Sequence, residues 1–229
     1  ITISNSGAIT SVGSGLVRLV ADGTNLSDVN INNGGQINIG SGSVYLRAGA
    51  NGSDRLNGNA ITTVGGPILF DSVVTLESST LISTGLGSGG VNFNFAVQGV
   101  SVASQNLTVL TSGAVSFSGN VGTTILPLGA ITIGSQQAAS VSIGNVFAKS
   151  LSASVQGPFN GSGTINLNYV DGLTISTFSA IGSVSLGNAA TSSPAVITSN
   201  LGSVTINNSA ALSINEDFIL SGSFAQTGL

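Results

Sequence analysis

Apolar residues fall at every second position in short runs along this chain, and the runs themselves recur. In GAVSF (113–117), Val115 and Phe117 alternate with small or polar neighbours. The same phrase returns as GLVRL from 15, GSVYL from 42, GPILF from 66, GGVNF from 89, ASVSI from 139, GTINL from 163, GSVSL from 182 and GSVTI from 202. Its third residue is always Val or Ile (Val17, Val44, Ile68, Val91, Val115, Val141, Ile165, Val184, Val204). Its fifth is always large and apolar (Leu19, Leu46, Phe70, Phe93, Phe117, Ile143, Leu167, Leu186, Ile206). Alternation turns these residues to one face of a strand and the intervening ones to the other. The intervening residues are mostly small or polar, with Tyr45 and Leu69 as exceptions.

Successive third positions stand 27, 24, 23, 24, 26, 24, 19 and 20 residues apart, by subtraction of those numbers. A period in the twenties is the mark of a stacked repeat. A second alternating pair usually follows within the repeat, as in Val29/Ile31, Leu107/Val109, Ile131/Ile133, Leu173/Ile175 and Leu212/Ile214. Gly, Asn, Asp and Ser gather between the runs, where corners need positive φ or local side-chain hydrogen bonds. Each repeat is therefore predicted to be two or three short strands joined by corners.

An antiparallel sandwich does not require one register to recur at a fixed long period. An outer-membrane barrel would turn an apolar band outward, whereas the outward residues here are Ser, Thr and Asn. A β-solenoid requires what is seen, with inward columns of Val, Ile, Leu and Phe from successive coils forming the core. The expected fold is all-β: a parallel β-helix of about nine or ten coils of roughly 19–27 residues. No linker or charge block interrupts it, so residues 1–229 are expected to be a single β-solenoid domain.

Composition sharpens this reading. Only 5% of the 229 residues are charged, against about 25% in ordinary soluble domains. The 33 glycines and the scarcity of Lys and Glu remove helix formers and leave strand formers. The four basic residues (Arg18, Arg47, Arg55, Lys149) form no stripe, and the net charge is −4, which argues against nucleic acid as a partner. With no Cys and no His, the usual zinc, thiol and Ser-His chemistries have no residues within this chain. No apolar run approaches the roughly 18 residues of a spanning helix.

The stretch GAVSFSGNVGTTILPLGAITI (113–133) resembles the recurrent unit of filamentous-haemagglutinin-like exoproteins, very large Gram-negative surface proteins. In that unit a G-x-V-x-F-x-G-x-V-G segment leads into a PL-x-x-L-x-V strand. ITTVGGPILFDSVVTL (61–76), GLGSGGVNFNFAVQG (85–99) and SGSFAQTG (221–228) are similar to other phrases of those repeats. The resemblance covers most of residues 60–229. It implies a right-handed parallel β-helix, exported to the outer surface of a Gram-negative bacterium and serving as an adhesin stalk or surface fibre. The family's N-terminal secretion-signal domain has no counterpart in this sequence.

Candidate chemistry is sparse. GANGSDRLNG (49–58) nearly matches the calcium nonapeptide G-G-x-G-x-D-x-L-x, with Ala50 for the second Gly. Calcium in such repeats is held between successive turns and needs tandem copies, which are missing. The expectation at Asp54 is therefore a polar loop interrupting one coil, with no metal. Asp22, Asp28, Asp54, Asp71, Glu77, Asp171, Glu216 and Asp217 fall at different phases of the repeat and are expected as solvated corner charges. Polysaccharide hydrolysis or lysis needs clustered acids with a basic partner. Phe70, Phe93 and Phe117 are expected as a core column.

No catalytic, cofactor-binding or metal-binding residue is expected. The function expected is a non-catalytic structural or adhesive segment of a large secreted or cell-surface exoprotein, forming a rigid rod. The alternatives are a subunit of a self-assembling extracellular filament or sheath and, more distantly, a polysaccharide-degrading enzyme. Expected partners are neighbouring coils, copies of the chain end to end, and host or neighbouring cell surfaces. Ile1-Thr2-Ile3 opens directly on an alternating strand, and GSFAQTGL places Phe224 a further 20 residues after Val204. The native chain is thus expected to continue beyond at least one terminus, or to stack its ends on neighbouring copies.

Overall fold

The computed structural model describes residues 1–3, 7–22, 28–31, 35–58 and 60–161, then 165–166, 172–177, 184–186, 196–199, 203–207, 210–214, 217–220 and 222–227. Every named element is a β-strand, and the strands pair in parallel across three faces. The chain visits the faces in turn, as in Ser53–Leu56, Ala60–Thr62 and Ile68–Phe70, followed by Val73–Leu76, Thr80–Gly85 and Val91–Phe93. Each strand lies on the equivalent strand of the previous circuit, which makes the architecture a parallel β-solenoid.

The first face is a five-stranded sheet, Thr2–Ile3 to Val97–Gly99. It is prolonged through single bridges, Val97 to Val121 and Val121 to Val146. The second face belongs to a 13-stranded sheet and the third to a 9-stranded one. Inward positions are buried apolar residues from all three faces, among them Val29, Ile37, Val44, Leu56, Ile61 and Ile68. Among the described residues, no helix is long and apolar enough to cross a membrane.

The third face carries the repeat read from the sequence. Its inward file runs Val17, Val44, Ile68, Val91, Val115 and Val141, pair by pair in register. Two positions later, Phe70, Phe93 and Phe117 lie one above another. Their ring centroids are 4.8 and 4.6 Å apart and nearly parallel, which is the spacing of neighbouring strands. The phenylalanines are a core column, buried to 3% exposure or less.

Beyond Val141 the structure corrects the assigned repeat. Val141 pairs with Phe159, Phe159 with Val184 and Val184 with Leu212. Ile165 lies instead in the first-face file between Val146 and Ile197, and Val204 in the second-face file between Leu173 and Phe224. The third-face steps after Val141 are thus 18, 25 and 28 residues by subtraction, outside the expected 19–27 at both ends. The short step has a local cause. Val146–Val155 is one continuous strand whose start pairs on the first face and whose remainder pairs on the second, so the corner between them is omitted. Leu167, the expected fifth-position residue of the copy at 163, lies outside the described residues.

The corner between the second and third faces explains the glycines that open the copies at 42, 66, 89 and 113. A Cβ on Gly42 would overlap the carbonyl oxygen of Gly15, and one on Gly66 the carbonyl oxygen of Gly42. Neither glycine has positive φ, so close approach of successive coils sets the requirement here, and turn conformation does not. Buried threonines line the same corner. Thr111 donates to the Gly89 carbonyl at 2.8 Å and accepts from the Gly113 amide at 2.8 Å, while the Thr84 hydroxyl lies 2.6 Å from that of Thr111. These hydroxyls satisfy backbone groups that water does not reach.

Candidate functional site

Most charges of residues 1–80 that the structure describes fall on two outward patches and one inward position. On the first face, outward Asn30, Arg55, Thr75 and Gln98 form a file in register. Asp28 precedes the strand Val29–Ile31 and Glu77 follows the strand Val73–Leu76, which puts one carboxylate on each side of Arg55. The guanidinium ion-pairs with Glu77 and lies 3.9 Å from Asp28. Asp28 also accepts the Ser53 amide at 2.9 Å. A groove of about 670 Å³ runs over this patch, with Asp28, Asn51, Ser53, Arg55, Thr75 and Gln98 on its polar side. Val73, Val100 and Leu126 form its apolar side.

Asp28, Arg55 and Glu77 come from three successive coils, so the fold gathers acids that the sequence reading left as separate corner charges. Chemically the result is a clamp. A general acid/base pair needs two carboxyl groups facing a common substrate, and here Arg55 stands between them. Half-exposed ion pairs of this kind contribute about 0–1 kcal/mol each.

The second patch lies on the third face, where the two non-conforming outward residues sit. Tyr45 donates from its hydroxyl to Asp71 at 2.6 Å, and Asn94 donates to the other Asp71 oxygen at 2.8 Å. Arg18 lies over the Tyr45 ring at 5.2 Å. The Tyr45 hydrogen bond holds the Asp71 carboxyl below its ordinary range, with Asn94 helping. The same bond, followed by burial, raises the Tyr45 phenol. Asp71 is therefore also no free corner charge.

Asp54 departs furthest from expectation. Residues 53–56 are a first-face strand, not a loop, and Asp54 takes the inward phase between Val29 and Val74. It is fully buried. Ser72 donates to Asp54 Oδ2 at 2.6 Å and accepts the Ala48 amide at 2.9 Å, while Asp54 Oδ1 has no hydrogen-bond partner. Burial pushes the carboxyl up to about 7, against the pull of the Ser72 bond; the charges of Asp71 and Asp28 add to the rise. The signal was available in sequence, because Asp54 and Leu56 repeat the phase of Val29 and Ile31. Ser72 offered no such signal: it belongs to a corner 18 residues away.

The inward file offers calcium no second carboxylate, since Val29 and Val74 flank Asp54. Among the described residues, no three His, Cys, Asp or Glu side chains are grouped to hold a metal ion. Chelation is therefore expected to leave the circular dichroism and melting temperature unchanged. A melting point that falls in EDTA and recovers with calcium would contradict this. Of the remaining acids, Asp22 is exposed at a corner, Asp217 begins the strand Asp217–Leu220, and Asp171 and Glu216 lie outside the described residues.

The fold and these patches define a parallel β-solenoid in which Asp28, Arg55, Glu77 and Asp71 are drawn into cross-coil contacts. No protein-family model, curated protein or solved structure matches the chain. The likeness to filamentous-haemagglutinin-like exoproteins accordingly rests on the sequence phrases quoted above and on the β-solenoid arrangement.

Proposed function

We propose that this chain is a non-catalytic, rod-forming segment of a large secreted or cell-surface exoprotein, adhesive in the manner of the filamentous-haemagglutinin-like proteins it resembles. The observation that carries this reading is the outward surface. Its strand faces carry files of small polar residues, such as Asn92, Ser116 and Ser142, on a core that continues from coil to coil, while exposed apolar residues such as Val12, Val64 and Leu86 stand between the strands. Such a surface suits a stiff spacer. Where acids do gather, at Arg55 and Tyr45, their oxygens are engaged by neighbouring coils, and this favours a load-spreading role over acid/base chemistry.

The test is the native polypeptide. Antibodies raised against this segment should detect, on intact producing cells, a protein of several hundred kilodaltons that added protease removes. A product of about the 22.4 kDa of this chain, sedimenting as filaments, would instead establish the assembling subunit. Release of reducing ends or unsaturated sugars from polysaccharide would establish the enzyme.

A further inference from the structure

We propose that Asp54 is a proton-operated latch: the coils spanning residues 28–76 close around its neutral carboxyl and loosen when it ionises. The geometry carries this. Asp54 is the charged member of an otherwise aliphatic inward file, Val29–Asp54–Val74–Val97, and its exposure is 0%. A carboxylate can accept about four hydrogen bonds; this one receives a single bond, from Ser72, and Oδ1 receives none. The neutral acid loses nothing by comparison. A proton added at the unpartnered Oδ1 leaves Ser72 donating to Oδ2, and the Ser72 oxygen still accepts the Ala48 amide. Protonation therefore keeps the hydrogen bonds and removes the buried charge, which is the expensive part.

The surroundings favour the neutral form. Asp28 leads the strand on one side of Asp54, and Asp71 and Glu77 flank the strand on the other. Arg55, on the outward phase of the same strand, is engaged by Asp28 and Glu77. Tyr45 and Arg47 belong to the third-face strand Val44–Arg47 that leads to Ala48, where Tyr45 is bonded to Asp71. The strands Gln36–Ile39, Ala60–Thr62 and Ile68–Phe70 carry no titratable side chain. Asp54 thus has acidic neighbours at both flanking strands and no inward cation.

The direction of the effect follows from linkage. The folded-state value is raised to about 7, above an unfolded value of about 3.9. The stabilisation is therefore fully present below about pH 4 and is lost as pH rises through about 7. Between pH 5 and pH 8.5 the opening equilibrium of these coils should grow on the order of 100-fold.

Hydrogen exchange on the full 229-residue chain, corrected for intrinsic rates, tests this at those two pH values. The expected result is a large gain in exchange at 29–31, 53–56 and 73–76 on going to pH 8.5, with the strand Leu107–Thr111 little changed. Asp54→Asn should abolish the pH difference. Asp54→Val, which completes the valine file and is expected to fold even if the amide variant does not, should abolish it too. Equal protection of the wild-type coils at both pH values, or a pH response that persists in Asp54→Val, would overturn the proposal.

Discussion

Replacing Phe117 by Asp is expected to unfold the central coils, whereas replacing its neighbour Ser116 by Asp should cost less than about 1 kcal/mol. Phe117 is 3% exposed and stacks on Phe93 at 4.6 Å. Removing a buried phenylalanine costs about 3–5 kcal/mol through lost burial and the cavity left behind, and an unpaired buried charge adds to that. The sum approaches the whole net stability of an ordinary domain, about 5–15 kcal/mol. Asp54 shows what such a carboxylate would lack. It has Ser72 as a donor, while the neighbours of Phe117 in its file are Phe93 and Ile143, neither of which can donate a hydrogen bond. Because each coil contacts only its neighbours, the defect should separate the coils before it from those after it. Urea titration followed by circular dichroism reads both variants, and equal tolerance of the two would overturn the inward assignment of Phe117.

That assignment was legible in sequence because period-2 alternation maps directly onto a pleated strand, and a parallel stack keeps the phase from coil to coil. The same reasoning located Val17 through Val141 in one file. It failed at Ile165 and Val204 for a physical reason. A small residue followed by two alternating apolar residues describes any corner that leads into an inward strand, whichever face comes next. Only the number of residues spent on the intervening corners fixes the face, and the continuous strand Val146–Val155 omits one of those corners. Phe159, paired with Val141, broke the Val/Ile rule and so was passed over. At Asp54 the strand phase was legible, but turn-forming Gly, Asn and Ser around it drew the reading towards a loop. The clamp at Arg55 and the Tyr45–Asp71–Asn94 chain were not legible. Each joins residues more than 20 positions apart on different coils, and their meeting depends on the stacking register.

The glycines that open the repeat set a second large expectation: Gly66→Ala should destabilise the chain by about 1–3 kcal/mol or more, although it adds one methyl group and demands no forbidden φ. The added Cβ would overlap the Gly42 carbonyl oxygen of the previous coil and stand 2.6 Å from its carbon and 2.9 Å from the Ser41 oxygen. All three are backbone atoms, so no side chain can swing aside. Relief requires the coils to part at a corner held on both sides of Gly66. Just before it, the Val64 amide donates to the Gly40 carbonyl at 2.8 Å, and just beyond, the Val44 amide donates to Pro67 at 3.0 Å. Parting the coils would strain the ladder bond as well as the packing of Val44 on Ile68. Gly144→Ala is the matched control, because its Cβ would meet nothing within 4 Å and its φ is ordinary. With less unfolded-state freedom to lose, that variant should be neutral or stabilised by about 0.4–1 kcal/mol. Thermal melts of the two variants side by side separate the explanations. If both alanines are tolerated equally, close approach of successive coils is not what reserves position 66 for glycine.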